Sequence, residues 1–347
     1  MQPILSICIP TFNRAVQLNN LLNNINKIIE HQGILIEICI SNNCSTDNTD
    51  QIIKKWSQQL SINFTTQKTN IGGNRNIIEV TRLATGKWIL LVGDDDELIV
   101  EAFDKLLTFL LNADVKDWIL VGVKSGSSNL LGDIKPGGYR AYEFRKEVLR
   151  TGLYRFGFIS SHIFSSTLVK EFSSFSSQQY QTWPHVALFL LHLTSGCVQV
   201  YPEIIVTQAG GGNVAFFKIG DWIIANIKKI NILTEMRKKT NNNFLFFYTA
   251  TLRELYSLMS LKDILLWKIL EPKDFYNRGM QNFIKRYFLL GPFFIGAVFH
   301  FLIVMVILVT PRILFIWALW IIGRKNIISD YNTKKKLMAQ YDVISRG

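Results

Sequence analysis

Residues 88–98 read WILLVGDDDEL. The first five, Trp88 to Val92, are apolar on both faces of an extended chain. Such a run suits the middle of a parallel sheet that helices cover on either side. It stops at Gly93, and Asp94, Asp95, Asp96 and Glu97 follow at once. Open α/β sheets bind ligands beyond the carboxyl ends of their strands, and these carboxylates stand at such an end. Adjacent carboxylates repel one another unless they are well solvated or share a cation. A hard divalent ion with oxygen ligands, Mg²⁺ or Mn²⁺, is the natural partner, above all one that also carries phosphates. The competing reading of an isolated acidic run is a solvated surface turn. The buried strand before it, and the sequence upstream, favour the site.

Working back from this stretch, strand and helix patterns alternate. Leu5 to Ile9 reads as a strand closed by Pro10, and Arg14 to Glu30 as a helix. In that helix Leu18, Leu21, Leu22, Ile25, Ile28 and Ile29 recur at helical spacing. Leu35 to Ile40 is the second strand, and Ser45, Thr46 and Asp47 offer capping groups for a helix from Thr49 to Gln59. Ile62 to Thr66 is a third, shorter strand. Gly72 and Gly73 break the chain before a helix from Asn74 to Ala84. The repetition predicts an α/β fold with a doubly wound, mostly parallel sheet. Downstream, Phe103 to Leu111 reads as a helix and Trp118 to Val123 as a strand. Beyond Lys124 the pattern loosens, with a short strand expected at Phe158 to Ser161, a helix at Pro184 to Leu193 and a boundary at Gly210 to Gly212.

The chain has 347 residues, 48% of them hydrophobic, and a formal net charge of +12. The charge is uneven. Residues 1–215 hold 18 Lys+Arg against 18 Asp+Glu, and residues 216–347 hold 20 against 8. Phe288 to Val309 is apolar except for His300 and is long enough to cross a bilayer. Thr310-Pro311-Arg312 interrupts, and Ile313 to Ile322 adds a second, shorter apolar run. Lys285 and Arg286 precede the pair of runs, and Arg324 and Lys325 follow it. Basic flanks on both sides predict a hairpin with both ends on the cytoplasmic face. The expected organisation is therefore a catalytic domain at 1–215, basic helices at 216–283, and a membrane-associating hairpin with a basic tail at 284–347. No nucleic-acid motif accompanies the basic charge, which points to an anionic lipid surface. The four cysteines, Cys8, Cys39, Cys44 and Cys197, show neither paired nor metal spacing. With a strand beginning by Leu5, no signal peptide is expected, and the catalytic domain is placed in a reducing cytoplasm.

Four motifs carry a resemblance. IPTFNR (Ile9 to Arg14), SNNCSTDNT (Ser41 to Thr49), NIGGNRN (Asn70 to Asn76) and GKWILLVGDDDEL stand in the order and spacing of glycosyltransferase family 2. Within that family the chain is similar to bacterial O-antigen transferases of the abequosyltransferase type. The resemblance implies the GT-A nucleotide-sugar fold. It also implies an inverting, metal-dependent transfer of a sugar, for example a deoxyhexose, from a nucleotide-sugar to a polyprenyl-diphosphate-linked saccharide. Pro10, Thr11, Asn13, Arg14, Asn42, Asn70, Arg75, Asn76 and Asp94 are then expected around the nucleotide-sugar. Arg14 and Arg75 would offer donors to phosphate. Asn42 stands where the family usually has Asp, and Gly93 where it usually has the first Asp of the metal motif. Asp95 aligns with the metal ligand, and Asp94 or Asp96 must give the second contact. Asp96 is grouped with the catalytic residues.

The family's base is an Asp in an acidic pair about 90 residues further on. No such pair lies between Glu171 and Glu203, and His185, in Trp183-Pro184-His185, aligns there instead. An unperturbed His could deprotonate the acceptor hydroxyl. His162 is its competitor. Two other functions stay open on the sequence: transfer to polyprenyl phosphate itself, and a nucleotide-sugar-binding membrane protein without catalysis.

Overall fold

The computed structural model describes residues 2–32, 35–114, 117–175 and 183–208 continuously. Beyond these it describes only residues 232, 233, 243, 245–247, 249, 250, 268, 273, 275–279, 306 and 314. The chain divides into two compact units, Met1–Gly212 with Lys229–Glu254, and Asn213–Lys228 with Leu255–Gly347. The first carries the fold described below. The expected boundary at Gly210 to Gly212, the expected hairpin at 287–323 except residues 306 and 314, and nearly all of the basic helices at 216–283 lie outside the described residues. Among the described residues no helix is long and apolar enough to cross a membrane.

The strands are β1 (Leu5–Thr11), β2 (Ile36–Asn42), β3 (Ile62–Thr66), β4 (Trp88–Leu91), β5 (Glu97–Leu98), β6 (Asp117–Ser125), β7 (Ser128–Asn129), β8 (Gly137–Arg140), β9 (His162–Ser165) and β10 (Cys197–Thr207). They form a single sheet in the order β3-β2-β1-β4-β9-β6-β10-β5, with β7 on β6 and β8 on β10. The pairs β1–β2, β2–β3, β1–β4 and β6–β10 are parallel, and β9 runs antiparallel to both its neighbours. Because β9 is reversed between β4 and β6, strands β1 to β4, β6 and β10 all end at one edge. At that same edge β9 begins.

Burial follows the pleat. Ile7 and Ile9 face one side with Trp88 and Leu90, while Cys8 faces the other with Ile89 and Leu91. Helices α1 (Ala15–Gln32), α2 (Thr49–Trp56) and α4 (Phe103–Asn112) pack on the first face. Helices α3 (Gly73–Thr81), α5 (Ala141–Thr151), α6 (Val169–Ser173) and α7 (Pro184–His192) pack on the second. Fully burying a side chain such as Phe103 or Leu106 contributes roughly 1.5–3 kcal/mol. The two central tryptophans also satisfy their indole N–H groups: Trp88 Nε1 donates to the Leu110 carbonyl at 2.9 Å, and Trp118 Nε1 to His162 Nδ1 at 3.1 Å.

The strand–helix repeat through residue 125 matches the sequence reading to within a few residues, with a mixed but mostly parallel sheet. Two expectations need correction. Residues 159–161 form a 3-10 turn, and the strand begins only at His162. The region after Lys124 is also less loose than its glycines suggest. It contains α5 and the long strand β10, which lies beside β6 in parallel. Cys197–Thr207 includes Gln199, Pro202 and Glu203, which interrupt the apolar pattern, and its register shifts twice along β6.

Candidate active site

The four sequence motifs meet at the edge where β1, β2 and β4 end. β1 ends on Thr11, which is buried, and its Oγ1 donates to Asp94 Oδ2 at 2.7 Å. Asn13 follows in the left-handed region with φ 53°, a conformation that Asn tolerates better than most residues. Its Oδ1 accepts from Thr46 N at 2.7 Å, and its own N–H donates to Ser45 Oγ at 2.9 Å. This turn ties the first motif to the second and delivers Arg14 to the acidic run. Arg14 Nη1 lies 2.6 Å from Asp95 Oδ2 and 3.8 Å from Asp94 Oδ1. Pro10 is the penultimate residue of β1, opposite Ser41 on β2.

Burial opposes the charge on Arg14, but Asp94, Asp95 and Asp96 outweigh it and raise its pKa above the usual range. Asp94 is pushed up to about 6. Burial is the main cause; the hydrogen bond from Thr11 and the charge of Arg14 work against it, and Asp95 adds to it. Asp95 is the open member, with 44% of its side chain exposed. Asp96 is buried and turns away: Ser160 Oγ donates to its Oδ2 at 2.5 Å. The three carboxylates therefore do not converge on one point.

The second and third motifs brace each other. Asn43 N–H donates to the Thr11 carbonyl, its Nδ2 to Asn70 Oδ1 at 3.0 Å, and its Oδ1 accepts from Ile71 N at 2.8 Å. Asn70 Oδ1 also accepts from Gly72 N, at 2.9 Å. Gly72 takes φ 82° to turn into α3, a backbone that favours glycine. Asn76 is buried on α3. Its Oδ1 accepts from Ser41 Oγ, and its Nδ2 donates to the Ser41 carbonyl at 2.8 Å, so its amide stitches α3 to β2. Arg75 Nε pairs with Glu79 at 2.6 Å, one turn along the same helix. Asn42 is fully buried. Its Oδ1 accepts from Ser45 N at 3.1 Å, while its Nδ2 lies near Asp50 outside bonding geometry.

Asp47 does more than cap α2. One oxygen takes Thr49 N and Oγ1, and the other takes Ala15 N at 3.1 Å, at the start of α1. Those hydrogen bonds outweigh burial and hold its carboxyl below the usual range.

The two histidines differ from a solvent-facing base. His185 sits in the first turn of α7 and is 1% exposed. Its Nε2 is 3.1 Å from the Gly157 carbonyl, which fixes that nitrogen as the N–H and leaves Nδ1 as the lone pair. Nδ1 has no hydrogen-bond partner among the described residues. Burial, then the nearby His162, push its pKa well below the ordinary value. His162 lies beneath it, with ring centroids 5.1 Å apart. Both its nitrogens are engaged, Nδ1 by Trp118 and Nε2 by the Phe156 carbonyl at 2.8 Å. His185, the residue that the sequence aligns with the family's base, is thus a buried, oriented imidazole.

Asp95 and Asp94 present hard oxygen donors to the same cationic group, the Arg14 guanidinium. A Mg²⁺ or Mn²⁺ ion fits such a donor set when phosphate and water supply its remaining ligands, the usual arrangement for Mg²⁺. Among the described residues no group of three or more His, Cys, Asp or Glu could by itself hold a metal ion. Sequence reasoning missed two residues here. Asn43 stood beside Asn42 in SNN and could have been read as a loop brace. Ser160 gave no signal, since it meets Gly93 and Asp96 only across the sheet.

Residues 6–169 match the model of the family described as glycosyl transferase family 2. The abequosyltransferase RfbV of Salmonella typhimurium (strain LT2) is 38% identical over 109 residues, 31% of this chain and 32% of that protein. The GalNAc(5)-diNAcBac-PP-undecaprenol β-1,3-glucosyltransferase of Campylobacter jejuni is 32% identical over 109 residues, 30% of this chain and 34% of that protein. The matches span about a third of the length of these curated relatives. The crystal structure of Staphylococcus aureus TarS residues 1–349 superposes with a TM-score of 0.58 at 16% identity, over 81% of this chain and 80% of that one. At that identity the likeness is one of fold.

Proposed function

We propose, from the premise that residues 6–169 belong to glycosyl transferase family 2, that this chain is a glycosyltransferase. It would transfer a sugar from a nucleotide-sugar to a hydroxyl of a saccharide carried on a polyprenyl diphosphate, with inversion. The observation that carries this reading is the convergence of all four motifs on one strand edge, where Arg14 lies 2.6 Å from Asp95. A diphosphate seated there meets a cation from Arg14 and carboxylates that can share a metal ion. The relatives named above, an abequosyltransferase and a transferase named for an undecaprenyl-diphosphate-linked saccharide, support an O-antigen-like role and a lipid-linked acceptor.

Each group then has a physical task. Thr11 and Arg14 hold Asp94 and Asp95 toward the ligand. Asn13 and Asn43 keep the two loops that flank the nucleotide in register. Asn42 Nδ2 is a donor for base or ribose, and Arg75 reaches phosphate by leaving Glu79. A divalent ion held by Asp95 and Asp94 would neutralise the diphosphate leaving group. His185 is the proposed base, because its Nε2–H bond to Gly157 leaves the Nδ1 lone pair for the acceptor proton. For that the acceptor must reach a nitrogen that is buried in this structure. Attachment through residues 287–323 to the cytoplasmic face of the cell membrane would bring the enzyme to its lipid substrate.

The test is a screen of full-length protein against CDP-, UDP-, GDP- and dTDP-sugars with a lipid-linked acceptor, in Mn²⁺ and in excess EDTA, beside Asp95→Ala. Transfer from one donor, lost in EDTA and in the folded variant, is expected. Full activity in either case would sink metal dependence. No transfer to the saccharide but transfer to polyprenyl phosphate would move the acceptor to the lipid itself.

A further inference from the structure

Ser160 lies 64 residues from Asp96 in sequence, in the 3-10 turn Ile159–Ser161 just ahead of β9. Because β9 runs against β4, its start arrives at the edge where β4 ends. There Ser160 is fully buried, accepts from Gly93 N at 2.9 Å and donates to Asp96 Oδ2 at 2.5 Å. A hydroxyl has one proton, so accepting from Gly93 and donating to Asp96 uses it in both directions. The turn between them is closed by Asp96 N–H on the Gly93 carbonyl at 3.1 Å. The Asp96 carboxylate folds back so far that a Cβ placed on Gly93 would meet its Oδ2 at 2.8 Å. A side chain at 93 would have to push that carboxylate aside. Asp94 and Asp95, by contrast, pair directly with Arg14.

We infer that Ser160 is a positioning residue: it clamps Asp96 onto Gly93, and Asp96 thereby shapes the acidic turn that presents Asp94 and Asp95 to the ligand. This rests on the glycosyl-transfer reading, and it removes Asp96 from the groups expected to touch substrate. The role needs a hydrogen-bond acceptor at 96, not a negative charge. Asn keeps an acceptor oxygen of the same reach, and Ala keeps none.

The experiment compares Asp96→Asn, Asp96→Ala, Ser160→Ala and the Ser160→Ala/Asp96→Ala double variant with the wild-type chain. The readouts are the melting temperature, kcat, and the Mn²⁺ concentration that gives half-maximal rate. Asp96→Asn is expected to keep its rate within a few-fold. Ser160→Ala and Asp96→Ala are each expected to lose about tenfold to a hundredfold in kcat, the scale of a small misplacement of reacting groups. Both should also need several-fold more Mn²⁺. The double variant should melt no lower than the worse single variant, because both substitutions break one clamp. Asp96→Asn as inactive as Asp95→Ala would overturn the inference, since the charge itself would then be needed. Additive losses in melting temperature would overturn it too. Absence of transfer in the wild type would instead defeat the functional reading, while the melting cycle would still decide the clamp.

Discussion

Acidifying the protein from pH 7 to pH 5 should expose the cost of keeping His162 neutral. His162 is fully buried between Trp118, the Phe156 carbonyl and the ring of His185, and burial lowers its pKa from 6.5 to about 4. A histidine with a depressed folded pKa binds fewer protons folded than unfolded. Its contribution is fully present above about 6.5 and is lost as pH falls toward 4. Between pH 7 and pH 5 the linkage relation gives a loss of about 2 kcal/mol from this residue. Asp94 works in the opposite direction. Its folded pKa is raised from 3.8 to about 6, so the fold takes up a proton first and gains about 1 kcal/mol over the same interval. Wild-type stability alone would hide the effect. The useful quantity is the difference between wild type and His162→Gln, in which Asp94 and His185 remain. Urea unfolding followed by tryptophan fluorescence at both pH values supplies it. The variant should be less stable at pH 7, yet lose about 2 kcal/mol less than wild type on going to pH 5. Equal losses in the two proteins would refute the view that His162 is held neutral by burial.

Gly86→Ala should destabilise by about 1–3 kcal/mol, the usual cost of overpacking, because a Cβ there would meet Ser6 Oγ at 2.6 Å and β1 backbone at 3.1 Å; an unchanged urea midpoint would contradict this. If His185 is the base, His185→Ala should lower kcat by about two to four orders of magnitude with donor affinity retained, and normal turnover with an inactive His162→Ala would move the base to His162. Truncation after Gly279 should shift the protein from the membrane to the soluble fraction on cell fractionation. Tags at both termini should report cytoplasm, and a C-terminal tag in the periplasm would replace the hairpin by a single span.

The sequence alone determined the N-terminal half of the sheet, because there the information is local. Apolar runs at Leu5 to Ile9, Leu35 to Ile40 and Trp88 to Val92, separated by amphipathic helices, admit one architecture, and right-handed crossovers bring their ends to one edge. Asp94 and Asp95 were legible for the same reason, since they follow the strand Trp88 to Val92, whereas Thr11 and Arg14 were placed by the resemblance of their motif to the family. What tertiary structure decided depends on residues far apart in the chain. The reversal of β9 fixes which groups the second half of the sheet brings to the site, and nothing in His162–Ser165 states a direction. Strand β10 was hidden because Pro202 and Glu203 break its alternation, and pairing with β6 overrides that local pattern. Asp94 and Asp96 stood as alternatives for the second metal contact; it is the approach of Ser160 that holds Asp96 aside. His185 aligned with a base, yet whether it faces solvent is settled by His162 and the Gly157 carbonyl packed against it. Periodicity records which face of an element is apolar, whereas burial of a single polar group depends on what the rest of the chain places against it.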